Sequence, residues 1–302
     1  MDGILNLLKP PGMTSSDAVV DVRRLFHQKK VGHTGTLDPG AAGVLPICLG
    51  KATRLFDYLM EKKKEYLAEV CFGCATDTLD SYGVLTEKQD VFVQLEAVAQ
   101  ALASLTGVQE QIPPMYSAVR HNGQKLYQLA RRGTALEAEH IEKKARTIEI
   151  YSLDLLEQTG ENRFLFRMVC SKGTYVRVVC EELGKKLGVP AYMSFLLRSR
   201  SGAFSLETAV TLDEARQAVE AGRGQELLVP MEEALAFLPR LEVDPSCAMR
   251  LKNGNAVWKK AVNGPECPAG RVFCGGEFYG IGALNSEELL IRTMLYSAND
   301  PS

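Results

Sequence analysis

One glycine-rich stretch, residues 32–50, contains the residue types best suited to chemistry. It reads GHTGTLDPGAAGVLPICLG, with Asp38 at its centre and His33 in the same polar segment. An ionised, positioned carboxylate oxygen can act as a nucleophile or base, and a histidine in so polar a loop is unlike an ordinary core histidine. The stretch therefore raises the hypothesis of a site built around Asp38.

Two interpretations of Asp38 compete. Asp-Pro-Gly is a common turn, in which the aspartate accepts local N–H bonds, the proline fixes φ and the glycine tolerates positive φ. Against a simple turn, Pro39 restrains Asp38 to extended backbone and limits where the carboxylate points. The stretch lacks the G-x-x-x-x-G-K-[ST] pattern of a nucleotide P-loop. A large ligand could approach the backbone closely at four glycines, Gly32, Gly35, Gly40 and Gly43.

The cysteines offer a second chemistry. The chain has eight, mostly in apolar surroundings typical of small buried thiols in a reducing compartment. Cys71 and Cys74 form a C-x-x-C pair, but the nearest second pair, Cys267 and Cys274, is spaced more loosely and lies far along the chain. Structural zinc sites favour two close pairs, so we expect buried thiols and no metal.

The segments around the loop predict the elements that position it. GILNLLK predicts a strand ended by Pro10 and Pro11, and SDAVVDVRRLF predicts an amphipathic helix capped by Thr14, Ser15 or Ser16. After the loop, GVLPICLG predicts a buried strand, KATRLFDYLMEKKK a helix and EYLAEVCFG a strand. The loop is thus expected between elements of a packed core.

The rest of the chain mixes helices and strands irregularly. Helices are predicted for VQLEAVAQALASL, for QKLYQLARRG ending at Gly133, for KGTYVRVVCEELGKKLG ending at Gly188, and for the acidic TLDEARQAVEAG and PMEEALAF. ARTIEIYSLDLLEQ and NRFLFRMVCS predict a hairpin, and YMSFLLRSRSG another strand. Because these elements do not alternate as βαβ units, the fold class is α+β.

A domain boundary is predicted near Leu238 and Pro239. The chain from Arg240 onward has short strand-like runs broken by Gly, Pro and Asn, which indicates a small β-rich domain. We therefore expect domains at residues 1–238 and 239–302.

Charge excludes a uniformly basic nucleic-acid binder, since the 302 residues carry 35 basic and 37 acidic side chains. The distribution is uneven: residues 1–64 hold 10 Lys/Arg against 6 Asp/Glu, and residues 163–202 hold 8 against 2. A local site for a polyanion is compatible with these patches. No secretory signal or membrane span is expected, so a cytoplasmic location is predicted.

Four motifs resemble those of the TruB family of tRNA pseudouridine synthases. They are GHTGTLDPGAAGVLPICLGKATR, KEYLAEVCFGCATDTLDSYG, IPPMYSAVRHNGQKLYQLARRG and CSKGTYVRVVCEELGKKLG, and they occur in the family's order. More loosely, the tail resembles the PUA-like RNA-binding domain common in this family. The resemblance implies a mixed, largely antiparallel sheet of the pseudouridine synthase type with flanking helices, followed by a small β-rich domain.

The same resemblance implies an isomerisation of the T-loop uridine at position 55 of tRNA. The N1–C1′ glycosidic bond breaks, the uracil turns, and C5 bonds to C1′, so no cofactor or metal is required. The uridine must be extruded before a carboxylate can reach it, at a cost of a few kcal/mol. The partner is the T arm of tRNA, and a monomer is expected.

Residue roles follow by matching motif positions. Asp38 corresponds to the catalytic aspartate, Arg177 to the arginine paired with it, and Tyr66 to the tyrosine that stacks on the target base and has been considered a proton acceptor. Leu196 corresponds to an apolar residue of the uracil pocket and His33 to a histidine associated with the flipped RNA. A guanidinium close to Asp38 is expected to hold its pKa low. Substrate contacts are also expected from Gly35 and Thr36.

Affinity is expected from phosphate contacts, for which the candidates are Lys9, Lys29, Lys30, Lys51, Arg54, Lys62, Lys63, Lys64, Arg131, Arg132 and Arg198. A solvated helix end is the alternative interpretation of the lysine run at 62–64. Leu197 departs from the family, which often has a second arginine next to Arg198, and this departure could weaken one phosphate contact.

Two other functions remain possible from the sequence. A protein could bind and fold tRNA through the same cleft without chemistry, although such a protein has no reason to keep Asp38, Tyr66 and Arg177 together. A carboxylate glycosidase is disfavoured because the loop offers no second carboxylate.

Overall fold

A computed structural model describes residues 1–60, 63–117, 119–121, 124–126, 128 and 144–296 of the chain. The HNG triplet and the predicted helix QKLYQLARRG fall largely outside these residues. Lys62, Arg131 and Arg132 lie outside them as well.

The described residues form seven α-helices and twenty strands. The helices are α1 Ser15–Leu25, α2 Phe56–Met60, α3 Leu95–Ala103, α4 Val176–Leu187, α5 Leu212–Glu220, α6 Met231–Ala234 and α7 Ala248–Lys252. The first ten strands are β1 Gly3–Lys9, β2 Val31–His33, β3 Ala42–Leu49, β4 Lys64–Phe72, β5 Cys74–Thr76, β6 Leu85–Lys88, β7 Gly107–Gln111, β8 Arg120–His121, β9 Gln124–Lys125 and β10 Arg146–Gly160. The remaining ten are β11 Arg163–Cys170, β12 Ala191–Ser201, β13 Phe204–Ser205, β14 Leu228–Val229, β15 Arg240–Val243, β16 Val257–Trp258, β17 Val262–Asn263, β18 Cys267–Cys274, β19 Glu277–Leu284 and β20 Glu288–Met294.

A ten-stranded sheet forms the core, in the order β14-β1-β3-β12-β4-β11-β10-β7, with β2 added to β3 and β13 to β12. All its pairings are antiparallel except that of β12 with β3. This sheet confirms the predicted mixed, largely antiparallel core with flanking helices. The single parallel contact brings the start of β3 beside the middle of β12, at the registers Ala42↔Leu197 and Gly43↔Arg198.

Local signals place most element ends where the sequence predicts them. Thr14 caps α1 through a capping box with Asp17, since each side chain satisfies a backbone N–H of the other. Gly188 ends α4 in the left-handed conformation at φ 70°, as glycine readily does. The predicted hairpin of β10 and β11 is also present.

The prediction that KATRLFDYLMEKKK forms one helix is wrong, because the helix is shorter than predicted. Gly50–Leu55 is a 3₁₀ segment, α2 ends at Met60, and Lys64 already belongs to β4. Lys64 is buried and donates to the carbonyl of Met60. The lysine run is therefore not one exposed helix end.

A six-stranded sheet follows from Arg240, in the order β16-β20-β19-β18-β15-β17, and confirms the β-rich C-terminal region. Ile281 of this sheet and Leu295, which directly follows β20, pack in one apolar cluster with Ile4, Val44 and Leu55 of the N-terminal half. The two sheets therefore share a core, and the boundary at residue 238 remains a prediction. No helix in the described part of the chain is long and apolar enough to cross a bilayer.

Candidate active site

Asp38 lies in the loop between β2 and β3. The Ala41 amide donates to the Asp38 carbonyl over 3.1 Å, so Asp38 begins a turn through Pro39 and Gly40. The Thr34 amide donates to the Pro46 carbonyl, which closes the base of the loop. The Asp-Pro-Gly turn is therefore present, and this turn presents the Asp38 carboxylate; the catalytic role of Asp38 remains a prediction.

Two buried side chains fasten the loop from below. The Ser15 hydroxyl donates to the Leu37 carbonyl over 3.0 Å and accepts from the Leu37 amide over 2.9 Å. The Lys9 ammonium, wholly buried, donates to the carbonyls of Pro10 and Met13 at 2.7 Å and to that of Pro39 at 3.3 Å. Each flank of Asp38 is thus fixed by a hydrogen bond to a neighbouring element.

The structure brings Arg177 to Asp38. Arg177 is in the first turn of α4, is 3% exposed, and places its Nε 2.9 Å from Asp38 Oδ2. Its Nη2 donates to Asp38 Oδ1 over 3.2 Å. The guanidinium thus faces both carboxylate oxygens, one through the hydrogen bond from Nη2 and the other through the close charge contact of Nε, as its planar shape allows. The Asp38 side chain remains 33% exposed, so a substrate can reach it.

The remaining donors of Arg177 hold two further segments. Nη1 donates to the Thr78 carbonyl and Nη2 to the Tyr116 carbonyl, each over 2.9 Å. Nη1 also lies 3.6 Å from Asp80 Oδ2. Arg177 therefore joins the Asp38 loop to the segment between β5 and β6 and to the segment after β7.

Burial raises the pKa of Asp38 above its ordinary value, and this is the largest influence on it. The Arg177 guanidinium opposes the rise, the nearby Asp80 charge adds to it, and Lys9 lowers it. The expected low pKa is therefore wrong in direction, because desolvation exceeds the effect of the guanidinium. A carboxylate taken partly out of water is a stronger base and nucleophile than one in bulk solvent.

Tyr66 and Leu196 line the same apolar region. Both are buried, and both belong to the core cluster that includes Leu37 and Ala41 of the Asp38 loop. Burial raises the pKa of the Tyr66 phenol, while a hydrogen bond with Arg198 and the charge of that residue act in the opposite direction. The raised pKa keeps the phenol protonated at neutral pH, which suits an apolar stacking surface better than a base.

Arg198 and Lys9 are not available for the predicted phosphate contacts. Arg198 is 1% exposed and donates to the carbonyls of Val44, Gly35 and Thr36. Lys9 is equally buried under the loop. Both cations hold the Asp38 loop from the inside. Buried carbonyls need hydrogen-bond donors, and the apolar core supplies none, so these two side chains donate to them instead.

The other predicted binding residues have varied positions. His33 ends β2, half-buried, and its Nδ1 accepts from the Gly35 amide over 3.3 Å. Thr36 is exposed beside Asp38. Arg54 contacts the C-terminal sheet instead of the Asp38 loop: its Nη1 donates to the Met294 carbonyl over 2.8 Å. Its predicted role in RNA binding remains a prediction.

Several residues of the site escaped sequence reasoning. Asp80 and Thr78 lie in TDTLDSYG, which composition identifies only as turn-rich. Asp80 Oδ1 accepts from the Thr78 hydroxyl at 2.6 Å and from the Tyr82 amide at 3.0 Å. Leu79 between them adopts φ 62°, a conformation unusual for a leucine. Nothing in the sequence indicated that Lys9 would donate hydrogen bonds to three backbone carbonyls.

The cysteines are free thiols within the described ranges. Cys48, Cys170 and Cys180 are buried, and burial raises the pKa of Cys48 to about 12 and of Cys170 to about 11. Among the residues that the structure describes, no group of His, Cys, Asp and Glu is arranged to hold a metal ion.

Two family models match consecutive parts of the chain. The TruB family pseudouridylate synthase N-terminal domain matches residues 23–176, and the tRNA pseudouridylate synthase B C-terminal domain matches residues 177–236. The chain is 42% identical over 292 residues to tRNA pseudouridine synthase B of Alkaliphilus oremlandii, covering 95% of each protein. It is 48% identical over 261 residues to the enzyme of that name from Geobacillus thermodenitrificans, covering 84% of this chain and 85% of that one.

Solved structures show the same architecture. A chain of a Cbf5-Nop10-Gar1 complex superposes with TM-score 0.72 at 28% identity, covering 96% of this chain and 79% of that one. A chain of an H/ACA RNP bound to a substrate RNA containing 2'-deoxyuridine superposes with TM-score 0.75 at 24% identity, covering 98% and 86%. At 24% identity, the similarity to the RNA-bound chain shows a shared fold and no more.

Proposed function

Because the chain belongs to the TruB family of tRNA pseudouridine synthases, it isomerises uridine to pseudouridine in tRNA, and we propose that Asp38 performs the reaction. The observation that carries this assignment is the Asp38–Arg177 pair at 2.9 Å on a loop fixed from below. It is a partly exposed, oriented carboxylate beside the apolar cluster that contains Tyr66 and Leu196.

The reaction asks for one oxygen that is ionised and held in place. The C1′–N1 bond breaks, C1′–C5 forms, the C5 proton is released, and N1 regains a proton, so the product is an isomer. Attack of Asp38 at C1′, removal of a sugar proton to give a glycal, and addition to the base all begin from the same carboxylate. Arg177 supplies its orientation, and closure of the pocket over a flipped nucleotide would strengthen that interaction.

The pocket recognises the base through shape and stacking. Tyr66 and Leu196 contribute buried apolar surface beside the loop, and an aromatic ring can stack on an extruded uracil. The half-buried His33 and the exposed Thr36 belong to the same loop as Asp38, and we propose that they contact the RNA. Arg198 holds Tyr66 and the loop carbonyls together, which places the stacking ring and the carboxylate on one rigid unit.

The preferred substrate is the T-loop uridine at position 55, presented by the T arm. The C-terminal sheet is proposed as a PUA-like RNA-binding part, supported by exposed Trp258 next to Lys259 and exposed Lys260, an arrangement suited to stacking and phosphate contact. The proposed enzyme works as a monomer in the cytoplasm, where its tRNA substrate is found.

Tritium release tests the assignment. Transcripts of tRNA with 5-tritiated uridine should lose label to water with the wild-type chain and show only background loss with Asp38→Asn, while filter binding of the tRNA persists. The amide is nearly isosteric with the carboxylate and cannot supply the negative oxygen. Wild-type rates from Asp38→Asn would overturn the role of Asp38, and binding without release by the wild type would indicate a tRNA-folding protein instead.

A further inference from the structure

Tyr82 lies beside the proposed active site, and its side chain is largely exposed to solvent. It is 68% exposed, although it belongs to the same TDTLDSYG segment that contacts Arg177. Val84 and Leu85, which follow it, are also exposed, at 72% and 54%. A large aromatic ring left in water next to a binding site indicates a surface that is covered in the complex.

The ring of Tyr82 rests on Gly40, two residues beyond Asp38. A Cβ atom at position 40 would lie 2.0 Å from Cε2, 2.6 Å from Cδ2 and 2.8 Å from Cζ of the tyrosine. Only a glycine allows the ring so close to the backbone. Tyr82 is therefore in direct contact with the turn that carries Asp38.

The backbone beneath Tyr82 is fixed on several sides. Its amide donates to Asp80 Oδ1 over 3.0 Å, and the Val84 amide donates to Asp77 Oδ1 over 2.8 Å. The Met193 amide of β12 donates to the Leu79 carbonyl over 3.0 Å. A ring presented by an already ordered segment loses little conformational entropy when a ligand covers it.

We propose that Tyr82 is a stacking platform for a nucleobase of the RNA loop adjacent to the target uridine. This inference rests on the proposed function, because the position of the platform is defined by the Asp38 turn that receives the uridine. When the target nucleotide is extruded, its neighbours lose a stacking partner, and an aromatic ring at the rim replaces it. Tyr66 covers the extruded base inside the pocket, and Tyr82 covers a neighbour outside it.

The single tryptophan of the chain, Trp258, makes a direct optical test possible. The background Trp258→Phe keeps an aromatic ring at the proposed RNA-binding part, and filter binding confirms that it still retains tRNA; in this background, Tyr82→Trp creates one fluorophore at the platform. Phe92→Trp in the same background is the matched control, since Phe92 is 76% exposed but its neighbour Val93 is bonded to Asn162 of the β10–β11 turn rather than to the Asp38 loop. Addition of a tRNA transcript should quench emission from position 82 saturably and leave emission from position 92 unchanged.

Kinetics provide a second readout. Tyr82→Ala should raise the KM for tRNA by about fivefold to 100-fold, which is the range measured for loss of one base–aromatic stack, with a smaller change in kcat. Tyr82→Phe should stay close to wild type, since only the ring is needed, and Tyr82→Leu should behave like Tyr82→Ala. Because the side chain is exposed, the thermal unfolding midpoints of all three variants should match the wild type.

Three results would overturn the platform: unquenched emission from position 82 with tRNA bound by filter retention, an unchanged KM for Tyr82→Ala, or full rescue by Tyr82→Leu, which would indicate a plain apolar contact such as a protein partner makes. A different result would overturn the proposed function. If the wild type binds tRNA but releases no label, the reaction is wrong, whereas quenching at position 82 would still establish the platform.

Discussion

The Asp38 carboxylate and the Arg177 guanidinium are in contact although 139 positions separate them in the chain, with Nε and Oδ2 2.9 Å apart. One partner belongs to a turn of the large sheet and the other to the first turn of α4. We propose that this contact is the centre of the active site, because it directs the carboxylate and opposes the rise in its pKa that burial causes.

Arg177→Lys should slow the reaction severely. An ammonium is a point charge, so it cannot contact Asp38 side-on while also bonding the carbonyls of Thr78 and Tyr116. A displacement of the carboxylate by about 1 Å can cost about 100-fold in rate. Single-turnover tritium release at saturating tRNA measures this loss, and an unaltered rate would contradict the orienting role.

Asp80→Asn should move the acidic limb of the pH–rate profile. The charge of Asp80 raises the pKa of Asp38, together with the larger effect of burial. Its removal lowers that pKa, so Asp38 stays ionised to lower pH and the limb shifts to lower pH. The amide oxygen can still accept from Thr78 and Tyr82, which keeps the segment folded. A limb that stays in place or moves to higher pH would refute this electrostatic coupling.

Local patterns in the sequence were enough to predict the α+β class and most element ends, because caps and apolar periodicity act over a few residues. The large, mostly antiparallel sheet was predicted from the family resemblance. Asp38 and Arg177 were identified through motif resemblance rather than spacing. The misassigned residues are instructive: Lys9 and Arg198 are cations, and counting charges cannot reveal that their side chains turn inward to carbonyls of the loop. Asp80 and Tyr82 were missed because their partners are distant in the chain.

Lys9 should make the free energy of unfolding depend on pH in the alkaline range. Burial lowers the pKa of Lys9 from 10.5 to about 8 in the folded chain. Between these values the unfolded chain binds the proton and the folded chain has released it, so this group makes the unfolding free energy increase with pH across that window. The slope is at most about 1.4 kcal/mol per pH unit.

Chemical denaturation of the wild type and of Lys9→Met across pH 7 to 11 measures this effect. The variant lacks the titrating group, so the wild type should gain stability relative to it as the pH rises above about 8. The variant should be less stable at pH 7 by about 1–3 kcal/mol, since the carbonyls of Pro10, Met13 and Pro39 lose their donor. A pH-independent difference would argue against the shifted lysine.

Gly43→Ala should destabilise the fold markedly. Gly43 has φ 119°, and a Cβ there would lie 2.3 Å from the carbonyl oxygen of Arg198, across the parallel pairing of β3 with β12. Strain and overpacking together should cost about 2–4 kcal/mol. Gly276→Ala is the control, since that glycine also has positive φ but nothing within 4 Å of its Cβ position. Equal losses in the two variants would show that backbone strain alone is responsible.

Deletion of residues 240–302 should lower the thermal unfolding midpoint. The deletion removes Ile281 and Leu295 from the cluster that also contains Ile4, Val44 and Leu55, and exposed apolar surface costs about 25 cal/mol per Å². Effects of the deletion on tRNA affinity must therefore be compared at temperatures where both chains are folded. An unchanged midpoint would show that the shared cluster contributes little.

Arg177 also has a structural role, which follows from the positions of its hydrogen-bond acceptors. Its donors reach carbonyls 99 and 61 positions away as well as the aspartate 139 positions away. The Asp38–Arg177 geometry therefore requires three distant stretches to dock on one guanidinium. Damage to any one stretch is expected to displace the Asp38 carboxylate and to lower the rate on every tRNA substrate, rather than to change which substrate is preferred.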